Sequence, residues 1–251
     1  MTSIPVSTMV SRGIRILLLQ LVALCLALPV YCQVEETLQE GDLLFCCTDS
    51  ANAITAVTTG VDKLPIDHVA VVHRIGGNCG PLFVIEAINP TVCLTPWNQF
   101  RNNNSTILQG RATGDVDIPR SIKRCLSMVG KPYDDLYLPG DSALYCSELV
   151  QMNYVTSEGA VVFDPVPMSF HDDTGNVTEY WRDFYAQRGM VVPEGAPGSN
   201  PGELSRREQV SIIRIIYPTD SGVEFECDRK PLKDISKSNS SQKTEEQNPG
   251  Y

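Results

Sequence analysis

The chain has 251 residues, 42% hydrophobic and 20% charged, and carries a formal net charge of -10. That length and composition fit one substantial globular domain with a real core, plus a tail. An acidic chain repels phosphate at long range, so a nucleic-acid groove is excluded and the acidity reads as solubility.

Residues 1–32 stand apart. Arg12 and Arg15 give a positive start, Ile16 to Leu28 is an almost unbroken apolar run, and Pro29, Val30, Tyr31 and Cys32 end it. The run is short for a membrane span and its flanks fit a secretory signal peptide, with an uncleaved signal anchor as the alternative. Removal after Cys32 leaves a domain over 33–227. From 228 to 251 the composition turns to Lys, Ser, Glu and Gln, a disordered polar tail. The expectation is a secreted or extracytoplasmic protein with no stable membrane insertion once the signal is gone.

Two of the nine cysteines, Cys25 and Cys32, leave with the signal, so seven remain: Cys46, Cys47, Cys79, Cys93, Cys125, Cys146 and Cys227. In an oxidising compartment the simplest arrangement is three disulfides and one free thiol. No pairing follows from spacing. No C-x-x-C occurs and the three histidines are scattered, which argues against zinc. Asn103, Asn104, Asn176 and Asn239 each open an N-x-S/T sequon, compatible with glycosylation in a eukaryotic cell.

The elements follow in order. Gly41-Asp42 turns into a buried strand at Leu43-Leu44-Phe45-Cys46, and residues 48–64 read as a short helix. The β-branched run from His68 to His73 is a strand. Gly76-Gly77-Asn78 turns it into a hairpin partner at Leu82 to Ala87, and Thr106 to Gln109 is a weaker strand. The spacing of Ile122, Cys125, Leu126 and Val129 predicts a helix from Ile118 to Val129, ended by the Gly130-Lys131-Pro132-Tyr133-Asp134 loop. A second helix is expected over about Ser142 to Tyr154. Residues 160–210 read as a long irregular surface excursion, and Ile212 to Tyr217 as a final strand.

Cys146 falls at or just inside the start of the second helix, where unpaired N–H groups and partial positive charge favour thiolate over thiol. Asp141 would oppose this if its carboxylate came close. The competing reading makes Cys146 a buried helix residue or half of a disulfide. A cysteine nucleophile needs a base, and histidine suits that near neutral pH. His68 and His73 lie five positions apart on one strand, so they point to opposite faces and only one can face Cys146. Glu86 interrupts the apolar strand Phe83-Val84-Ile85-Glu86-Ala87-Ile88. A carboxylate there is either solvated or set against a histidine of the neighbouring strand, the third role in triad logic.

Gly41-Asp42-Leu43-Leu44-Phe45, Asp67-His68-Val69-Ala70, Val84-Ile85-Glu86-Ala87, Gly130-Lys131-Pro132-Tyr133-Asp134 and Tyr145-Cys146-Ser147-Glu148-Leu149-Val150 occur in that order. This set resembles the YiiX/YebB branch of the permuted NlpC/P60 superfamily of papain-like cysteine hydrolases, over roughly residues 40 to 217, and includes the stretch Glu194 to Ser205. The resemblance implies an α+β, permuted papain-like fold: a small antiparallel sheet bearing histidine, packed against a helix bearing the nucleophilic cysteine. It assigns nucleophile to Cys146, base to His68 and orienting group to Glu86, with no cofactor or metal. Family members usually carry a small residue before the histidine. Asp67 stands there instead, where it would raise the histidine's basicity or compete with Glu86 for it.

The function implied is hydrolysis of amide bonds, peptide or isopeptide-like, through an acyl-enzyme, on peptide, cell-wall or acylated substrates. The alternatives are a lipid thioesterase or acyltransferase on the same scaffold, and a catalytically inactive secreted binding module. The geometry expected of the enzyme is a Cys146 sulfur within about 4 Å of a His68 ring nitrogen, with Glu86 at the other nitrogen.

Overall fold

The computed structural model describes residues 37–77, 80–140 and 142–217. The segment read as a signal peptide, the segment read as a polar tail, Asp141, Cys79, Cys227, Asn239 and the expected turn at Asn78 lie outside the described residues.

The architecture is α+β, built on a six-stranded sheet in the order β4-β3-β2-β1-β5-β8. Its strands are β1 (Asp42–Cys47), β2 (Ile66–Arg74), β3 (Leu82–Ile88), β4 (Thr91–Pro96), β5 (Thr106–Ala112) and β8 (Val210–Ile216), and every neighbouring pair is antiparallel. The expected β2–β3 hairpin is present. Alternation along the strands divides the core. Leu43, Phe45, Val69, Val71, Ile85 and Leu108 face one side, and Leu44, Ala70, Val72, Val84 and Ile107 the other.

On the first side lie α2 (Ile118–Ser127), capped by Asp117 accepting from the Arg120 N–H, and α3 (Cys146–Asn153). They contribute Ile122, Cys125, Leu149 and Val150 to that core. The second side is covered by α1 (Trp97–Asn103), whose Trp97 and Phe100 are buried.

Three sequence expectations are corrected. Residues 48–64 form turns and a short 3-10 segment (Val61–Lys63) rather than an α-helix. The Asn52 side chain accepts from the Ile54 and Thr55 N–H groups, holding a turn that competes with helix. Residues 160–210 are a packed unit and not a surface excursion: α4 (Glu179–Ala186), a β6–β7 ribbon (Val166–Pro167 with Pro197–Gly198) and α5 (Pro201–Leu204) bury Phe170, Trp181, Tyr185 and Leu204. The five described cysteines, Cys46, Cys47, Cys93, Cys125 and Cys146, are all free, so the expected three disulfides, which need six of the seven, do not form. Among the described residues no helix is long and apolar enough to cross a membrane.

Candidate active site

Cys146 is the first residue of α3 and 6% exposed. Its predecessor Tyr145 is the N-cap, extended at φ -96° and ψ 170°, and makes no side-chain cap. The first N–H groups of the helix therefore have no capping hydroxyl or carboxylate from that residue, and their partial positive charge lies at the end of the helix that carries Cys146. This is the placement expected from the sequence.

His68 sits near the start of β2, paired across the sheet with Cys46 beside a register shift at Cys46/Cys47. Its Nε2 lies 2.8 Å from Glu86 Oε2. The other Glu86 oxygen accepts from the Thr95 hydroxyl at 2.5 Å, and Glu86 itself is 5% exposed. Phe100 flanks the imidazole at 6.4 Å between ring centroids. Burial pulls the His68 pKa down, but hydrogen bonds with Cys146 and Glu86 outweigh it and carry the value up to about 10. With Nε2 taken by Glu86, the nitrogen left for the sulfur is Nδ1. The structure thus brings Cys146, His68 and Glu86 together.

His73 is engaged elsewhere, its Nδ1 2.7 Å from Glu40 Oε1. The two histidines point apart, as strand alternation requires. Asp67 does not compete for His68: it accepts from the Asn52 amide at 2.6 Å.

Three further thiols are buried in the core. Burial pushes Cys46 up well above an ordinary thiol, and pushes Cys47 and Cys125 up to about 12 each. These three are held as neutral, unreactive groups.

A narrow cleft opens at Cys146. Tyr133, Tyr137, Tyr145, Met168, Phe170 and Trp181 supply its apolar wall, and Ser147, Ser199 and Asn200 its polar part. The Gly130–Asp134 loop contributes Tyr133 to this wall. Asp134 accepts from the N–H groups of Leu136 and Leu138 at 2.8 Å each, fixing a tight turn in which Tyr137 takes φ 52°, unusual for a bulky residue. A second, polar cavity lined by Asp49, Ser50, Asn102, Asn103 and Asn104 shares Asp67 with the first.

Sequence reasoning missed Thr95, because β4 went unrecognised although Thr91-Val92-Cys93-Leu94-Thr95 is β-branched and bounded by prolines at 90 and 96. It also missed Ser199 and the aromatic wall, whose residues are far apart in the chain.

An antiparallel sheet presenting a carboxylate-held histidine to a cysteine at a helix tip, with histidine first in the chain, defines a permuted papain-like cysteine-hydrolase scaffold. The comparisons agree: residues 37–209 match the family model of permuted papain-like amidase enzymes, YaeF/YiiX, C92 family, and the chain belongs to that family of thiol-dependent amidases. A solved structure with the same fold is the crystal structure of metalloprotein YiiX from Escherichia coli O157:H7, 20% identical, covering 72% of this chain and 98% of that one, with a TM-score of 0.56. No curated protein matches the chain. Among the described residues of this chain, no group of three or more His, Cys, Asp and Glu side chains is placed to share a metal ion.

Proposed function

We propose that the protein cleaves amide bonds, peptide or isopeptide-like, through a Cys146–His68–Glu86 triad and an acyl-enzyme. The observation that carries this reading is the imidazole of His68, held on one nitrogen by Glu86 and raised in basicity by Cys146. His68 takes the Cys146 proton, and the thiolate attacks the substrate carbonyl. Charge on the carbonyl oxygen is met by the backbone N–H of Cys146 at the helix tip. The imidazolium then gives its proton to the leaving nitrogen as the C–N bond breaks, leaving a thioester on Cys146 and a free amine. Water attacks the thioester, His68 accepts a water proton, and release of the carboxylic acid restores the thiol.

Glu86 orients the ring and stabilises the imidazolium, and Thr95 holds Glu86. The polar cavity that shares Asp67 adjoins the residue next to the base, so it fits the amine side of the substrate, while the aromatic cleft at Cys146 fits the acyl side. Export is part of this reading, resting on the Arg12–Cys32 segment.

The test is mass spectrometry of the protein mixed with an N-acyl aminoacyl ester or amide and quenched within seconds. An acyl mass on the Cys146 peptide, absent from Cys146→Ala, is the expected result. Turnover that survives Cys146→Ala would overturn the assignment.

A further inference from the structure

The aromatic cleft contains two hydroxyls that the fold does not use. Ser147 Oγ is closed to solvent and has no hydrogen-bond partner, and its residue is 0% exposed. Ser199, 2% exposed, is in the same position. Its Oγ approaches the Tyr145 hydroxyl without meeting it in hydrogen-bond geometry. That hydroxyl is already engaged, donating to the Met168 sulfur at 3.7 Å and accepting from the Ser199 N–H at 3.1 Å. Buried hydroxyls are nearly always paired, so two orphans in the wall of one cleft need a partner from outside the fold.

Their places are fixed. Ser147 follows the nucleophile on α3, and Ser199 is held by the Asn200-capped start of α5, where Asn200 Oδ1 accepts from the Glu203 N–H at 2.6 Å. We propose that Ser147 and Ser199 complete their hydrogen bonds with the acyl half of the substrate, so that the site selects acyl groups carrying an amide beside an apolar side chain, that is aminoacyl or peptidyl groups, over plain alkyl or arylalkyl acyl groups. The inference rests on the hydrolase reading and narrows its substrate class.

The chemistry follows from the lining. A hydroxyl both donates and accepts, and an amide offers one donor and one acceptor. A hydrocarbon chain in the same place pairs neither hydroxyl. A site built to bond a polar group rejects analogues that lack it far more strongly than an apolar pocket rejects a small change in size. A carboxylate is disfavoured, because Asp67 is the one charged residue of the cleft lining and no cation lies among the lining residues. The side chain next to the amide then meets Tyr137, Phe170 and Trp181.

The experiment compares two coumarin amides, N-acetyl-phenylalanyl and 3-phenylpropanoyl, which differ only in the acetamido group. The expected kcat/KM ratio is at least about tenfold in favour of the first, and Ser147→Ala and Ser199→Ala each lower that ratio about fivefold, on the scale of a lost hydrogen bond. Both variants should unfold at or above the wild-type temperature, since removing an unpaired buried hydroxyl costs the fold nothing. A ratio near one in the wild type, or variants that slow both substrates equally, overturns the inference and leaves the hydrolase reading standing. Unfolding several degrees lower would mean that the hydroxyls have partners inside the fold, and also overturns it. Release of coumarin from neither substrate overturns the inference together with the reading beneath it.

Discussion

Glu86 holds His68 through a 2.8 Å contact from Oε2 to Nε2, and its second oxygen is itself held by the Thr95 hydroxyl at 2.5 Å. The imidazole therefore has one nitrogen committed and one turned to Cys146. The chain Thr95–Glu86–His68–Cys146 runs from β4 through β3 and β2 to the head of α3, so the sheet supplies the support and the helix the nucleophile.

Removing this support has a pH signature. Glu86→Gln keeps the shape but not the charge, and should lower kcat about a hundredfold, the scale of a general acid–base contribution. In the wild type the basic limb of kcat/KM should fall near pH 10, where His68 loses its proton. In Glu86→Gln it should move down towards the ordinary histidine range. The sign for stability follows the same shift: the folded value lies above the unfolded 6.5, so the His68 contribution is complete below about pH 6.5 and is lost as pH rises through about 10. A basic limb that stays in place in Glu86→Gln would show that Glu86 does not act through His68.

Alkylation should separate Cys146 from the three buried thiols. Cys46, Cys47 and Cys125 are pushed up by burial, whereas Cys146 meets both a helix N-terminus and His68. One equivalent of iodoacetamide at pH 7 should label Cys146 at least about tenfold faster than these three, because the thiolate is the reacting form. Peptide mapping checks the site, and His68→Ala should slow the labelling. Equal labelling of Cys47 or Cys125 would remove the basis for naming Cys146.

Much of this site was legible in the sequence, for a physical reason. Cys146, His68 and Glu86 each break a local pattern: a thiol at a helix start, a polar residue opening a β-branched run, a carboxylate inside an apolar strand. Turn residues and apolar or β-branched runs also placed β1, β2 and β3, and the helical spacing of Ile122, Cys125 and Leu126 placed α2. The 160–210 region failed because its packing depends on Phe170, Trp181 and Tyr185 meeting Tyr137 and Tyr145 from another part of the chain. Its prolines and glycines look the same in a loose loop and in a packed ribbon. Thr95 was hidden for a related reason: its role exists only through its cross-strand neighbour.

Glu148, one turn into α3, is a buried carboxyl with one unpaired oxygen. Burial, chiefly, and the nearby Asp134 raise its pKa to about 8, against backbone hydrogen bonds from Gly140 and Tyr145 that lower it. The folded value lies above the unfolded one, so the contribution to stability is complete below about pH 4.5 and is lost as pH climbs through about 8. Glu148→Gln keeps an acceptor for the two N–H groups and carries no charge. It should leave the unfolding temperature at pH 5 within about 2 °C and raise it at pH 9 by about 3–6 °C, the shift that one or two kcal/mol produces in a chain of this size. Thermal melts at the two pH values decide it, and equal shifts at both would mean that the carboxyl is not the titrating group.

Gly198 marks where the 194–205 stretch closes on the site. A Cβ there would stand 2.5 Å from the Met168 sulfur and 2.8 Å from the Tyr145 hydroxyl, closer than real contacts allow. The sulfur sits on a flexible side chain and can retreat, but Tyr145 is the N-cap of α3 and its hydroxyl is tied to the Ser199 N–H. The strain in Gly198→Ala should therefore fall on the Ser199 segment, moving it away from the cleft while the sheet and the Cys146–His68–Glu86 chain keep their geometry. The expected outcome is a KM about tenfold higher with kcat within about threefold of wild type, the pattern of lost ground-state binding. Cys146 alkylation should proceed at the wild-type rate. A variant with unchanged KM and slowed alkylation would show instead that the segment acts on the nucleophile and not on the substrate.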